Sequence, residues 1–539
     1  MLSIHRQAIA ALASAICIVA MTAGCSGMTD AAAAPEKTGT SIPSCYTAAA
    51  PEKRVAIVAV MSVCGIVHNF IEPDNRSPSK DCGVLAVHEP MYLNFWDKPK
   101  EAAELDVKLI KEAGFDCMAI WASGEQWHRT QGLKTSIPYF DAARKFGIKI
   151  CPDLWFASTE IDTDANGNPT NKWDNLGFLL GYLKQNYDDI WLRDDTGRRM
   201  VFLVNGASQY EDYLSVMDKL CAEVPRSEIC LVSMTTNGKN IRPGWSLPEG
   251  SQNANDVGWF KGVDLFHSWD STPWSKTQAR RTLTENNLSS SNRIFIPSAI
   301  NSLAQSRGSH TTKSVHENLG FMKMSSLWRR AIEVRSKYIY VATWNDLTED
   351  HAIMPESNHG WAFWELNRYY SQWYHTGKEP AVEKEKVLLF HHPQPAAGVK
   401  VPEGRIQMFD HNVLKEPDVP TTLPTDYVGV VAFLRQPATL SVQFGTDVIA
   451  KRDFPAGVHS WLIYNPRKEV LDNKWTEAYP KDSDWLSVTT LGKPFSDTQV
   501  YLNVYRGADR IGMFRSHRPI VEAAGRSDMT TIGDVFELQ

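Results

Sequence analysis

At 539 residues the chain is too long for one ordinary domain, although an α/β barrel can hold about 250–300 residues as a single unit. With 43% hydrophobic and 22% charged residues, the composition is typical of a globular protein. The net charge of −6 is small for this length and argues against a nucleic-acid partner. Tryptophan is unusually frequent, with 18 residues, and such a surplus indicates either stacking platforms for sugars or large core anchors.

The first 25 residues are predicted to form a lipoprotein-type signal peptide. A short polar start precedes an apolar run, Ala8–Met21, which is too short to span a bilayer. Thr22–Cys25 resembles a bacterial lipoprotein cleavage box in which Cys25 would carry lipid. Ordinary secretion and an uncleaved anchor are the alternatives. We therefore expect an extracytoplasmic protein, a cell-envelope lipoprotein or a secreted one, with no membrane contact beyond an N-terminal lipid anchor.

Two segments separate the signal from the folded region. Residues 26–53 are rich in Ala, Pro, Thr, Ser and Lys and predict a disordered tether. Residues 54–83 are expected to lead into the fold. Their apolar run, Val55–Val67, indicates a buried strand or a packed segment.

Strand and helix patterns alternate from residue 84 to residue 380. The predicted strands are Val84–His88, Phe115–Trp121, Ile148–Leu154, Arg199–Val204, Glu228–Met234, Val263–Trp269, Arg293–Ser298 and Tyr338–Thr343. The predicted helices are Lys98–Ala113, Ile137–Phe146, Trp173–Tyr187, Tyr210–Cys221, Lys276–Asn287, Asn318–Ser336 and Trp361–Tyr374. Eight strands, each followed by a helix or a long loop, predict a (β/α)8 TIM barrel.

Beyond residue 380 the pattern changes to short strand-like runs separated by Pro, Gly, Asn and Asp. Val430–Leu434, Thr439–Phe444 and Val500–Tyr505 are examples. Helical periodicity is scarce, so residues 381–539 predict an all-β sandwich domain.

An acidic cluster follows the eighth predicted strand of the barrel. Asp346 and Glu349 are three residues apart, so in a turn or a helix both carboxylates can share one face. In a barrel of this type the carboxyl ends of the strands form the catalytic face. Glycoside hydrolysis needs such a pair, one carboxylic acid to protonate the leaving oxygen and one carboxylate to activate water or to attack. A capping or turn-forming acidic loop is the structural alternative.

Other predicted strand ends carry polar or aromatic groups that could face the same cleft. They are His88 with Glu89, Trp121 with Glu125, Asp153 with Trp155, Asn205, His267 with Trp269 and Asp270, and Ser298 with Asn301. Each one alone is better explained by packing or loop structure, but their convergence on one face favours a substrate cleft. Asp194 and Asp195 precede a strand, so they are expected at the opposite, structural face.

No cofactor or metal is expected. Asp162, Asp164 and Asn166 resemble the first half of a calcium loop, but Trp173 stands where the final Glu would be needed. Cys117 and Cys151 lie in apolar runs and are expected in the core. The other mature cysteines could pair in an oxidising compartment, but their connectivity cannot be deduced.

The segment Thr343–His351, TWNDLTEDH, resembles glycoside hydrolase family 71, the α-1,3-glucanases or mutanases. The resemblance extends over roughly residues 84–465, through Leu327–Arg330, Phe266–Asp270 and Pro455–Ser460. It implies endo-hydrolysis of α-1,3-glucan, a catalytic pair at Asp346 and Glu349, and inversion at the anomeric carbon. Leu347, Thr348, Asp350 and Ala352 depart from the family pattern.

We therefore expect a monomeric glycoside hydrolase that acts on a polysaccharide, with α-1,3-glucan favoured. Either acid could fill either role, and Glu349 is favoured as general acid. The substrate contacts are expected from Trp344, Asn345, His351, His267, Trp269, Asp270, His88, Trp121, Asp153 and Asn205. The alternatives are an endo-hydrolase of another α-glycan, such as α-mannan, and a non-catalytic surface glycan-binding lipoprotein.

Overall fold

The structure is a computed structural model, and it describes most of the chain between residues 53 and 538. The described ranges are 53–60, 98–123, 133–155, 161–163, 169–204, 217–234, 264–267, 294–296, 298–300, 303–306, 312–316, 319–333, 335–346, 352–398, 425–466, 482–522 and 530–538.

The described elements of the first part of the chain alternate strands and helices. The strands are β1 Val55–Val60, β2 Cys117–Ser123, β3 Lys149–Trp155, β4 Ile161–Thr163, β5 Pro169–Asn171, β6 Arg199–Val204, β7 Ile229–Met234, β8 Leu265–His267, β9 Ile294–Ile296, β10 Ser298–Ile300, β11 Leu303–Ser306, β12 Thr312–His316 and β13 Tyr338–Ala342. The helices are α1 Pro99–Glu112, α2 Leu133–Phe146, α3 Lys172–Tyr187, α4 Met217–Leu220, α5 Met322–Glu333 and α6 Ala362–Thr376.

The last part of the described chain is formed by strands. They are β14 Lys386–His391, β15 Asp426–Leu434, β16 Ala438–Phe444, β17 Asp447–Phe454, β18 Gly457–Asn465, β19 Leu486–Thr490, β20 Val500–Arg506, β21 Asp509–Arg515 and β22 Ile532–Glu537. Short 3-10 turns lie at Arg226–Glu228 and Ala396–Gly398.

A parallel sheet forms the centre of the first part, in the order β10-β13-β1-β2-β3-β6-β7-β8-β9. Its two end strands, β9 and β10, are separated by one residue, Pro297, which has no N–H to give to a ladder. β9 pairs with β8, and β10 pairs with β13. If β9 and β10 are counted as one strand, the pairings join eight parallel strands in chain order and return to the first, which confirms a TIM-like barrel.

The first strand of this sheet is not the one that the sequence predicted. β1, Val55–Val60, pairs with β13 on one side and with β2 on the other. The predicted boundary at residue 84 is therefore wrong, because the segment expected to lead into the barrel already supplies a barrel strand. All six residues of β1 are buried, as an interior parallel strand with both faces covered requires. Residues 84–88 lie outside the described residues.

The predicted helices agree with the structure where it describes them. α1 ends where the sequence predicted, with Gly114 next to its C-cap in a left-handed conformation, φ +91°. A Cβ at Gly114 would collide with the Ser371 side chain of α6, so this glycine also permits the close approach of two helices. The predicted helix 276–287 lies outside the described residues, as do the first residues of the one predicted from Tyr210.

Two further sheets occupy the C-terminal part, a five-stranded sheet in the order β19-β18-β15-β14-β22 and a four-stranded sheet in the order β17-β16-β20-β21. Alternate residues of β14 and β15 divide between two hydrophobic clusters. Val387, Leu389, Val428 and Val430 pack with Leu440 and Leu502 of the four-stranded sheet. Leu388, Phe390, Tyr427 and Phe433 pack with the barrel cluster. The five-stranded sheet is thus covered on both faces, which explains why every residue of β15 is buried.

Helix α6 packs against the C-terminal sheets. Its Phe363 ring lies 5.3 Å from that of Phe390, and its Tyr369 ring lies 5.3 Å from that of Phe433. Glu365 of the same helix forms an ion pair with Lys386 of β14.

In the described part of the chain, no helix is both long enough and apolar enough to cross a bilayer.

Candidate active site

After the last barrel strand, β13, the chain makes a tight turn. One hydrogen bond to β1 and one within the turn hold it in place. The Trp344 N–H donates to the Ala59 carbonyl of β1 at 2.7 Å. The Asp346 N–H donates to the Thr343 hydroxyl oxygen at 2.9 Å, and the Ala342–Thr343 peptide bond is cis. Asp346 therefore has a fixed position directly after the strand, at its carboxyl end.

The chain returns to the same turn a few residues later. The Ile353 N–H donates to the carbonyls of Thr343 and Trp344 at 3.1 and 3.0 Å, and the Met354 N–H donates to the Trp344 carbonyl at 2.9 Å. Residues 347–351, which include Glu349, Asp350 and His351, lie outside the described residues. The residues that flank this segment, Asp346 and Ile353, are thus both held at the same turn.

Asn345 and Asp346 are both nearly inaccessible to solvent. Asn345 has no exposed surface, and Asp346 is 3% exposed. A carboxylate buried to this degree must interact with other polar groups to remain charged. The structure thus provides one of the two predicted acids in a buried, oriented position, and the pairing with Glu349 stays a prediction.

Trp344 faces a helix, although the sequence suggested a sugar platform. Its indole N–H approaches the Asp106 carboxylate of α1 at 3.3 Å, and the same carboxylate accepts the Tyr139 hydroxyl of α2 at 2.6 Å. The Trp344 side chain is completely buried. In this conformation it presents no face to a ligand and instead joins the site turn to two helices.

Asp153 lies inside the barrel, where the Tyr340 hydroxyl of β13 donates to one of its carboxylate oxygens at 2.6 Å. The other carboxylate oxygen is buried and has no hydrogen-bond partner among the described residues. Burial raises the pKa of Asp153 to about 7, while the hydrogen bond from Tyr340 lowers it. Asp153 can therefore be a neutral carboxylic acid near neutral pH, able to donate a proton as well as to accept one.

Aromatic rings surround this acid. The Tyr340 ring stacks on Phe202 of β6, with centroids 5.4 Å apart. Trp121 of β2 lies beside Asp153 in the parallel register, so both side chains are on the same face of the sheet. Trp121 is 8% exposed, so its side chain is buried and only a small part of its surface contacts solvent. Together these residues form an aromatic floor beneath the carboxyl ends of the strands.

The sequence had not singled out Tyr340 or Phe202. Both lie in apolar runs of the kind that form a protein core, and neither is adjacent to a polar motif. The alternation of strand residues could have placed Tyr340 on one face with Tyr338 and Ala342. It could not have identified that face as the barrel interior.

Several expected site residues cannot be compared with the structure. His88, Asn205, Trp269, Asp270, Glu349 and His351 lie outside the described residues, as do Cys25, Glu125 and Asn301. For His267 only the backbone is described, and it pairs with Met234 and Ile296. The backbone of Asp162 lies in a short hairpin, whereas Asp164 and Asn166 are not described. Within the described part of the chain no group of three or more His, Cys, Asp or Glu residues is arranged to hold a metal ion.

The residues assigned to structural roles have those roles. Asp194 accepts hydrogen bonds from Thr196 and Arg198 in the turn before β6, and Asp195 forms an ion pair with Lys337 before β13. Both acids thus lie at the amino ends of the strands. Cys117 and Cys151 are free, fully buried thiols whose sulfur atoms are 3.6 Å apart. Cys230, which could have paired, is also a free thiol.

Part of the chain matches the sequence model of a known family. Residues 232–465 match the sequence model of glycosyl hydrolase family 71. This match confirms the resemblance found in the sequence, but it begins at residue 232 and not near residue 84. It includes β13, the turn with Asp346, helix α6 and the strands as far as β18. It does not include Trp121 and Asp153.

Individual relatives are distant. A mutanase from Penicillium rubens is 27% identical over 159 residues, which is 27% of this chain. The aligned part is 33% of the mutanase, so this chain spans about a third of that relative's length. Among solved structures, the GH99 endo-α-mannosidase from Bacteroides thetaiotaomicron aligns over 60% of this chain and 98% of its own, at 13% identity and a TM-score of 0.43. A family 1 β-glucosidase from Thermotoga maritima aligns over 61% of this chain and 99% of its own, at 11% identity and a TM-score of 0.34.

Proposed function

Because residues 232–465 match glycosyl hydrolase family 71, we propose that this protein is a glycoside hydrolase. The proposed substrate is a polysaccharide, an α-glucan with α-1,3-glucan favoured, cleaved within the chain. The observation that carries the proposal is the position of Asp346. It is buried and oriented at the carboxyl end of the last barrel strand, inside the matched segment.

We assign the chemistry to two carboxyl groups. Glu349 acts as the general acid that protonates the leaving oxygen, and Asp346 acts as the general base that activates water on the opposite face of the sugar. This assignment corresponds to inversion, for which the two carboxyl groups stand roughly 6.5–9.5 Å apart. A separation of about 5–5.5 Å would correspond to retention.

The substrate contacts are proposed in two groups. Asn345, His351, His267, Trp269, Asp270, His88 and Asn205 would supply hydrogen bonds and stacking around the bound sugars. Trp121 and Asp153 would form the floor of the cleft with Tyr340. Trp344 would act indirectly, because its side chain packs on Asp106 and holds the turn in place.

The experiment that tests this function compares three single variants, Glu349→Gln, Asp346→Asn and Asp350→Asn. Asp350 is the matched control, since it is a neighbouring carboxylate outside the proposed pair. The wild type would be tested against soluble and insoluble α-glucans and α-mannans for release of reducing ends. We expect the first two variants to lose several orders of magnitude in rate, about 10³-fold or more, while binding persists. Asp350→Asn would retain activity.

The outcomes separate the rival functions. Equal release of reducing ends by Glu349→Gln and the wild type would eliminate the assigned role of Glu349. Binding without hydrolysis by the wild type would favour a surface glycan-binding lipoprotein. Hydrolysis of α-mannan alone would move the specificity to that polymer.

We also propose the form of the C-terminal domain, the oligomeric state and the location of the protein. Residues 381–539 would form a β-sandwich, which the shared hydrophobic cluster of the two C-terminal sheets supports. The protein would act as a monomer outside the cytoplasm, either secreted or held at the cell envelope by lipid on Cys25.

A further inference from the structure

Helix α6 carries one exposed aromatic ring at its start. Trp361, the N-cap residue, is 37% exposed. Among the described residues, the other large hydrophobic side chains exposed to this degree are aliphatic: Val448, Met513 and Val521. The indole ring of Trp361 is therefore an accessible apolar surface on which a ligand could stack.

The Trp361 ring has a defined orientation. It meets the Trp364 ring edge to face, with centroids 5.4 Å apart and an interplanar angle of 88°. Trp364 is itself fixed, because its indole N–H donates to the Leu109 carbonyl of α1 at 3.1 Å. The Arg368 guanidinium lies 5.6 Å from the Trp364 ring. The exposed ring is thus supported from behind by a buried one.

The ring begins a line of polar side chains along the helix. Trp361, Glu365, Arg368 and Gln372 follow at intervals of four, three and four residues, so they lie on one face of α6. Eleven residues of helix extend over about 16 Å. We call this line the α6 strip.

The α6 strip leads into a cleft of about 190 Å³ between the helix and the C-terminal sheets. Glu365, Arg368 and Gln372 of the strip line this cleft, whereas Trp361 lies outside it. The lining also includes Tyr369, Pro380, Glu383, Lys384, Lys386, Phe433 and Glu537. The many hydrogen-bonding donors and acceptors of this lining suit a ligand that carries many hydroxyl groups.

The charges of the cleft indicate a neutral ligand. Three carboxylates, Glu365, Glu383 and Glu537, face three cations, Arg368, Lys384 and Lys386. Glu365 and Lys386 already neutralise each other in an ion pair. An anionic ligand would find no excess of positive charge here, whereas a neutral sugar chain can form hydrogen bonds with the charged groups outside this ion pair.

We propose that the α6 strip and its cleft are a second binding site for the polysaccharide, outside the barrel mouth. Trp361 supplies the stacking face, and Arg368 and Gln372 bind hydroxyl groups. The site rests on the proposed function for the class of its ligand. Since α6 is the first described helix after the turn with Asp346, a polymer held at the start of the strip would be kept near the barrel mouth, which raises its effective concentration there.

Binding and hydrolysis by the full-length protein test this site. Trp361→Ala and Arg368→Ala would be compared with Met513→Ala, a control that removes another exposed apolar side chain, on β21. Binding would be measured by co-sedimentation with insoluble α-1,3-glucan in the Glu349→Gln background, so that the polymer remains intact. Hydrolysis of a short soluble α-1,3-glucan oligosaccharide would be measured with the same variants made in the wild-type protein, which retains Glu349.

We expect Trp361→Ala to weaken binding to the insoluble polymer roughly tenfold, with a smaller loss for Arg368→Ala and none for Met513→Ala. Hydrolysis of the short oligosaccharide should be unchanged, because it does not reach the strip. If all three variants bind the polymer like their parent, the α6 strip is not a glycan site. If the wild type hydrolyses no α-glucan but its binding still depends on Trp361, the strip stands and the proposed function fails. Circular dichroism and thermal melting would verify folding, and Trp361→Phe, which keeps a ring, should retain most of the binding.

Discussion

The Tyr340 hydroxyl donates a hydrogen bond of 2.6 Å to the carboxyl group of Asp153, across the interior of the barrel. The two residues are 187 positions apart in the chain and lie on strands that are not neighbours in the sheet. A buried carboxyl group with a single partner is stable only where a fold fixes both groups. This contact therefore joins the first half of the barrel to its last strand, directly below the turn that carries Asp346.

The raised pKa of Asp153 predicts a pH dependence of stability. Its pKa rises from 3.8 to about 7 on folding, so the folded state retains a proton that the unfolded chain has lost. Stability should therefore fall as the pH rises from about 4 to about 7, and change no further above that through this group. The loss is on the order of 4 kcal/mol. Asp153→Asn should remove this slope in urea unfolding measured at pH 4.5, 6 and 7.5.

The Tyr340 hydroxyl supplies the control for that prediction. Tyr340→Phe removes the hydrogen bond that lowers the pKa of Asp153, so the pKa should rise further and the loss of stability should extend to higher pH. Equal slopes in the wild type and Asp153→Asn would mean that another group titrates in this range.

Trp344→Phe should show whether Trp344 acts by holding the turn in place or by contacting the sugar. The change removes the indole N–H directed at Asp106 and leaves space next to α1, so we expect a loss of about 1–3 kcal/mol in the free energy of unfolding. If Trp344 acts through the position of the turn, kcat should fall while KM stays within about twofold. A large increase in KM with unchanged stability would instead return Trp344 to the sugar-binding surface.

His375 should produce a second pH effect, at higher pH. Burial lowers its pKa, but the Asp116 carboxylate at 2.7 Å and the Ser371 carbonyl at 2.7 Å outweigh that effect, and the net pKa is raised. The charged form therefore stabilises the fold below about pH 6.5, and this contribution is lost as the pH rises through the raised pKa. His375→Gln should lose this contribution, measured as melting temperatures between pH 5.5 and 8.5.

Gly533 should be intolerant of any side chain. A Cβ at this position would lie 2.7 Å from the His359 carbonyl oxygen and 2.9 Å from the Ala362 Cβ, where β22 crosses the start of α6. Gly533→Ala should therefore destabilise the protein by about 1–3 kcal/mol. Gly492→Ala is the matched control, because a Cβ at Gly492 meets no atom within 4 Å. Similar melting temperatures for both variants would show that β22 can shift away from α6 without cost.

Local features of the fold were determined by the sequence alone. Periodicity located most of the described helices within a few residues, and Gly114 marked the end of α1. The apolar run Tyr338–Ala342 and the polar residues after it placed Asp346 at the carboxyl end of a buried strand, as the structure has it. These features depend on residues close together in the chain, so a single sequence contains the information.

Contacts between distant segments were decided only by the tertiary structure. The pairing of β1 with β13 made Val55–Val60 the first barrel strand, although an apolar run by itself cannot reveal its neighbours in a sheet. Asp153 acquired its partner and its raised pKa, and Trp344 turned toward Asp106, through contacts that only the closure of the barrel creates. A sequence states which side chains can carry charge or stack on a ring. The folded sheet determines which of them face the interior, and burial there determines the protonation state of Asp153.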